Sequence, residues 1–156
     1  MKKIACLFFL LSLSLLQAQG KKSIKKNNLK GTIITDLING REIPVEKKKF
    51  NKNGETIEET DYDKEGLLKT IRKYKLNAAG DVIEEEEYNA TDKTTERHIR
   101  KYNNLGDKIE ETVLDATGNK LKTFVYTYDA KGLKIARKTL DPNGKIIAVR
   151  KYQYEK

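Results

Sequence analysis

The chain keeps a regular beat, with Gly54, Gly80, Gly106 and Gly132 at equal intervals, and few folds are compatible with it. From residue 50 onward, four-residue cassettes begin after Phe50, Tyr62, Leu76, Tyr88, Tyr102, Leu114, Tyr128 and Leu140, in steps that alternate between 12 and 14. Two successive steps make one period. The first cassette position is Asn or Asp all eight times: Asn51, Asp63, Asn77, Asn89, Asn103, Asp115, Asp129 and Asp141. The fourth is Gly every time except at Asp92. Asn or Asp opens a type I turn by bonding its own backbone two residues on, and Gly then takes the left-handed conformation that closes a hairpin with a bulge. Eight hairpin turns follow, with Asp92 standing in for Gly because Asp tolerates that conformation better than most residues.

The segments between turns are eight and ten residues long and rich in Ile, Val, Thr and Tyr, which selects strands over helices. The fold class is therefore all-β: a repetitive antiparallel β-hairpin meander of 26-residue double-strand units. Unequal hairpin lengths stagger successive strands, so the sheet coils or spirals; closure into a barrel and an open spiral both fit that stagger. Going backward, Asn39-Gly40 reads as a further hairpin dipeptide, and a degenerate turn is expected near Asn27-Asn28. Residues 19–49 form an atypical capping repeat, and residues 50–156 form the regular array.

Residues 1–18 stand apart. Lys2 and Lys3 precede an apolar run from Ile4 to Leu16, and Gln17-Ala18-Gln19-Gly20 follows, the layout of a signal peptide cleaved after Ala18. The run falls short of the roughly 20 residues that a membrane-spanning helix needs. Export to the periplasm, cell envelope or medium is the expectation, with no stable anchor after cleavage. Cys6, the only cysteine, would leave with the signal.

Charge is distributed in blocks. Residues 19–49 carry nine basic and three acidic side chains, residues 50–118 carry 11 and 17, and residues 119–156 carry ten and three. Pairing across bulged turns sets Asp61 opposite Lys69, Glu58 opposite Arg72, Lys73 opposite Glu85, Ile83 opposite Ile99, and Glu85 opposite Arg97. Opposite charges facing each other across a sheet hold its register. In that register one face carries an aliphatic stripe of Ile57, Ile71, Ile83, Ile99, Ile109, Val125, Ile135 and Val149. The other carries the rings of Tyr62, Tyr74, Tyr88, Tyr102, Phe124, Tyr126, Tyr128, Tyr152 and Tyr154. Neither face is apolar enough for a thick core, so a single-layer or narrow sheet is expected.

Tyr126-Thr127-Tyr128-Asp129-Ala130-Lys131-Gly132 resembles the unit of the tyrosine-aspartate (YD or RHS) repeat family, Y-x-Y-D-x-x-G, and Tyr62-Asp63-Lys64-Glu65-Gly66 matches its core. Tyr102-Asn103-Asn104-Leu105-Gly106 and Leu140-Asp141-Pro142-Asn143-Gly144 are looser copies. The resemblance covers residues 50 to 154 and implies a spiralling β-sheet, export to a bacterial envelope or surface, and sugar binding. MORN-like repeats, also turn-glycine arrays, are a second resemblance.

Catalytic chemistry has little to draw on. His98 is the sole histidine and is expected to be solvated or paired with Glu84; no nucleophile elbow or phosphate-binding glycine loop is present. Asp61 to Gly66 resembles a calcium loop, but Arg72 occupies the place of its bidentate Glu. The chain reads as no enzyme, with no cofactor and no metal.

Binding is expected on the aromatic face of the last two repeats. Tyr128, Lys134 and Tyr152 form one expected cross-strand row, Tyr126, Ala136 and Arg150 a second, and Phe124, Lys138 and Ala148 a third. Tyrosine beside Lys and Arg suits sugar stacking with an anionic group held alongside. An envelope or extracellular glycan, or an anionic polymer, is the expected partner. The alternative is a protein partner or self-association through sheet edges and complementary charge. Nucleic acid would suit a basic, aromatic sheet, but export argues against it.

Overall fold

The computed structural model describes residues 13–155. One helix, α1 (Leu13–Lys26), precedes ten strands: β1 (Gly31–Ile38), β2 (Arg41–Phe50), β3 (Thr56–Tyr62), β4 (Leu68–Leu76), β5 (Val82–Asn89), β6 (Thr94–Tyr102), β7 (Lys108–Asp115), β8 (Lys120–Tyr128), β9 (Lys134–Leu140) and β10 (Ile146–Lys151). They form one antiparallel sheet in chain order, β1 to β10. The sheet is open, with β1 and β10 as its edges.

All eight turns form where the cassettes place them. At the Asp63 turn the carboxylate accepts the N–H groups of Glu65 at 3.0 Å and Leu67 at 2.8 Å, and Gly66 N–H closes on the Asp63 carbonyl at 2.9 Å. The turn without glycine is built differently. Its left-handed residue is Lys93 (φ 54°) and not Asp92, which lengthens the loop by one residue. Asn39 and Gly40 both have positive φ, a two-residue turn that matches the twist of β1 and β2. Pro44 lies outside the β2–β3 ladder, whose outermost pair is Glu46 with Asp61, so its missing donor costs nothing there.

Register differs from expectation by one residue. Beside each of the seven glycine turns the ladder shifts: Tyr62 faces Leu68 but Asp61 faces Thr70, leaving Lys69 as a bulge. Arg72 consequently faces Glu59 and Glu87, Lys73 faces Glu58 and Glu86, and Glu85 faces Tyr74 and His98. The β5–β6 hairpin has no bulge, but its extra loop residue gives the same displacement, so Glu84 faces Ile99 and Glu86 faces Arg97.

Because side chains alternate across a strand, that one residue redistributes the faces. Tyr74, Tyr102, Phe124, Tyr126 and Tyr128 share a face with Glu59, Glu85, Glu111, Arg72, His98 and Arg100. Tyr62 and Tyr88 lie on the reverse with Ile71, Ile99, Val125 and Val149. Ile57, Ile83, Ile109 and Ile135, spaced one period apart, are the unpaired bulge residues of their hairpins. The sheet is a single layer, and Val113 on the aromatic face is its one fully buried side chain among the described residues.

Residues 1–12 of the expected signal peptide lie outside the described residues, and α1 runs through the expected cleavage point. No helix among the described residues is long and apolar enough to cross a membrane. Asn27-Asn28 caps this helix instead of making a hairpin. Asn28 is left-handed (φ 52°), its N–H bonds the Lys25 carbonyl at 3.2 Å, and Leu29 N–H bonds the Ile24 carbonyl at 3.0 Å, the two bonds of a Schellman cap. The helix end is held over the Asn51 turn by the Lys21–Glu55 ion pair at 2.8 Å.

Gly54 makes that approach tight. A Cβ there would sit 2.8 Å from the Lys21 carbonyl oxygen, in addition to the left-handed strain at φ 77°, whereas Gly118 (φ 89°) has nothing within 4 Å. Gly54→Ala is therefore expected to release the helix, raising amide exchange over residues 20–26. Gly118→Ala should cost only the left-handed penalty of about 1–2 kcal/mol, with the helix amides unchanged. Equal exchange in the two variants would contradict the close approach.

Candidate functional site

The expected binding face is built on β8, β9 and β10. Its observed rows are Tyr128 with Lys134; Tyr126 with Arg137 and Arg150; and Phe124 with Thr139 and Ala148. The structure thus brings Phe124, Tyr126, Tyr128, Lys134 and Arg150 to one face, and Tyr152 joins them within reach of Lys134. Lys138 does not belong. It faces Val125 and Val149 on the reverse, because Ile135 is a bulge that shifts the rest of β9 by one. Arg137, absent from the expectation, takes its place.

The rings are interleaved with cations. Lys134 Nζ lies 5.1 Å from the Tyr126 ring centre and 5.7 Å from that of Tyr152, and Lys108 Nζ lies 4.9 Å from Tyr126. Phe124 sits between Lys122 at 5.8 Å and the Arg137 guanidinium at 4.8 Å. Such cation–ring contacts contribute about 0.5–1 kcal/mol each when exposed. They also fix long, flexible side chains above the sheet. Tyr128 donates to the Lys108 carbonyl at 2.8 Å, as Tyr102 does to Val82 and Tyr154 to Lys134, a latch that recurs once per period.

What separates this end from the rest is that β8, β9 and β10 carry no Asp or Glu. Glu59, Glu85 and Glu111 occupy equivalent positions one period apart, and each receives a bond from the residue 15 further on: Tyr74 at 3.4 Å, Arg100 at 2.5 Å and Tyr126 at 3.0 Å. The next equivalent position is Arg137. Its cross-strand neighbour is Arg150, so two like charges stand opposite each other, an unfavourable pairing. The Arg137 Nε is buried without a hydrogen-bond partner. Among the described residues, every ion pair involves an acid at or before Glu111. Asp129 and Asp141 are spent capping their own turns.

The middle repeats are the opposite case. Glu111 is 7% exposed and accepts bonds from His98 Nδ1 at 3.0 Å, Tyr126 Oη at 3.0 Å and Lys108, with Arg100 Nε at 3.4 Å. The His98 hydrogen bond, followed by those of Lys108 and Tyr126, holds its carboxyl well below the usual carboxylate range despite burial. The same bond raises the His98 pKa. His98 pairs with Glu111, and with Glu96 at 3.5 Å, rather than Glu84, which points to the reverse face. Burial, then the Glu111 charge, pushes the Tyr126 hydroxyl up, so it stays a donor. Arg72 likewise bridges Asp61 and Glu87, at 2.6 Å each. The acids Glu46, Glu59 and Asp61 converge within 4.8 Å, but Lys48 and Arg72 already supply their counter-charges.

No protein-family model and no curated protein matches the chain. Among solved structures it is similar to a protein of unknown function from Bacteroides fragilis NCTC 9343, at 14% identity and a TM-score of 0.38, over 81% of this chain and 96% of that one.

Proposed function

We propose that the chain is an exported, non-enzymatic repeat module that binds an acidic carbohydrate or other anionic polymer of the cell envelope through the face of β8 to β10. One observation carries this reading: Lys134, Arg137 and Arg150 share a face with Phe124, Tyr126 and Tyr152, and Arg137 stands at the position that Glu59, Glu85 and Glu111 hold in the three preceding periods. An anionic group supplied from outside would relieve the Arg137–Arg150 opposition and satisfy the buried Nε. Tyr126 and Tyr152 flank Lys134 and would pack on the polymer's apolar surfaces. The tyrosine-aspartate resemblance and the signal-like N-terminus support the envelope location.

Binding is expected to be salt-sensitive. Charge-assisted hydrogen bonds contribute about 1.5–3 kcal/mol each, so Arg137→Ala should weaken retention on an acidic polysaccharide column about tenfold or more. Tyr126→Ala with Tyr152→Ala should abolish retention while the sheet's circular dichroism persists. Undiminished retention by the tyrosine double variant would refute the proposal. A second reading, a protein-interaction element, is favoured by the two open sheet edges.

A further inference from the structure

The last strand is a copy of an interior one. Val149-Arg150-Lys151 on β10, with Tyr152 just after it, falls three periods after Ile71-Arg72-Lys73-Tyr74 on β4. Beyond β4 lies β5, which answers it residue by residue: Arg72 faces Glu87, Lys73 faces Glu86, Tyr74 faces Glu85 and Lys75 faces Glu84. Three of these are ion pairs, at 2.6, 3.6 and 2.9 Å. Among the described residues no strand pairs with the outer edge of β10, and all six of its residues are exposed. Arg150 lacks an acid on the inner side too, where Arg137 replaces the Glu59 that faces Arg72.

We propose that the free edge of β10 is a docking site for an extended acidic segment of a partner polypeptide. The segment adds antiparallel as an eleventh strand. Its backbone satisfies the outward N–H and C=O groups of β10, the usual basis of strand addition. Its side chains place carboxylates beside Arg150 and Lys151 as β5 does beside Arg72 and Lys73. A second copy of this chain is the poorer occupant. Its two open edges supply no row of carboxylates to answer Arg150 and Lys151: β1 carries Asp36 as its one charged residue, and β10 carries only bases. The site lies on the sheet edge and goes beyond the polymer-binding face, with which it shares Arg150.

The test uses the intact chain and a capped synthetic peptide with the sequence of Asp81 to Asn89. In isotope-labelled protein at low salt, the peptide is expected to shift the amide signals of Ile146 to Lys151 and to slow their exchange. Replacing the peptide's four glutamates by glutamine should weaken binding at least tenfold, as should Arg150→Glu with Lys151→Glu in the protein. Lys151→Ala alone is the milder variant should the pair disturb folding, and it should weaken binding several-fold. Tyr126→Ala should leave peptide binding unchanged, which separates this site from the polymer face. The proposal is overturned if millimolar peptide leaves β10 unmoved, if the shifts fall on β1 or the central strands, or if the glutamine peptide binds equally well. It is also overturned if the β10 signals shift with protein concentration alone, since the edge would then be taken by a second copy.

Discussion

Glu111→Ala is expected to be the most damaging single substitution in the sheet, lowering unfolding free energy by about 3–5 kcal/mol, the usual cost of removing one partner from a buried charge network. The side chain is nearly inaccessible and accepts bonds from His98, Lys108 and Tyr126, with Arg100 alongside. Without it, Arg100 keeps Glu85 at 2.5 Å, but His98 and Lys108 lose their buried acceptor and Tyr126 the one it has among the described residues. Against a typical total of about 5–15 kcal/mol, that is a large fraction. Urea unfolding of the variant beside Glu111→Gln, which keeps an acceptor oxygen, measures it. A loss below about 1 kcal/mol, the ordinary surface-pair value, would mean the cluster is not the anchor of the sheet.

The pH dependence of this effect has a definite sign. The Glu111 pKa is lowered from 4.5, so its contribution is complete above that value and fades as pH falls through the folded-state pKa. The His98 pKa is raised from 6.5, so its contribution is complete below that value and fades as pH rises through the folded-state pKa. The gap between wild type and Glu111→Ala should accordingly be widest between about pH 4.5 and 6.5.

The second large effect concerns chain length. Deleting Ile99 to Phe124 removes one full period and joins His98 to Val125, which is the lattice equivalent of Ile99. The product is expected to fold cooperatively as an eight-stranded sheet, with Tyr126 taking the place of Arg100 as the donor to Glu85. Its denaturation midpoint should be lower, because Glu111 and Val113 are gone. Deleting Ile99 to Thr123, one residue fewer, joins His98 to Phe124 and reverses the second half of the hybrid strand. Phe124, Tyr126 and Tyr128 then meet the reverse face, and the expected result is loss of cooperative unfolding. Circular dichroism with urea titration reads both. Similar curves for the two deletions would show that register is not set by the alternation of faces.

These two cases mark what the sequence discloses. Turn positions, strand number and antiparallel order are written in Asn, Asp and Gly, because only those residues satisfy turn geometry cheaply. Bulges have no such letters. Lys69, Leu121 and Ile147 are ordinary strand residues, and only the periodic recurrence of Ile57, Ile83, Ile109 and Ile135 betrays a special place beside each turn. The single bulge at Ile135, unmarked in the sequence, is enough to place Lys138 on the aromatic face in the expected register and to hide Arg137. The charge reversal at Arg137 was legible all along in the column Glu59, Glu85, Glu111. Its significance needed the register, which shows Arg150 standing opposite.

The docking of α1 has a consequence for the proposed export. The described contacts that hold it to the sheet come from Lys21, Ile24 and Lys25, all on the C-terminal side of Ala18. A signal peptidase cutting after Ala18 would discard Leu13 to Ala18 of the helix and leave those contacts whole. The remnant, about two turns long, would stay clasped over the Asn51 turn as the new amino-terminal end of the protein.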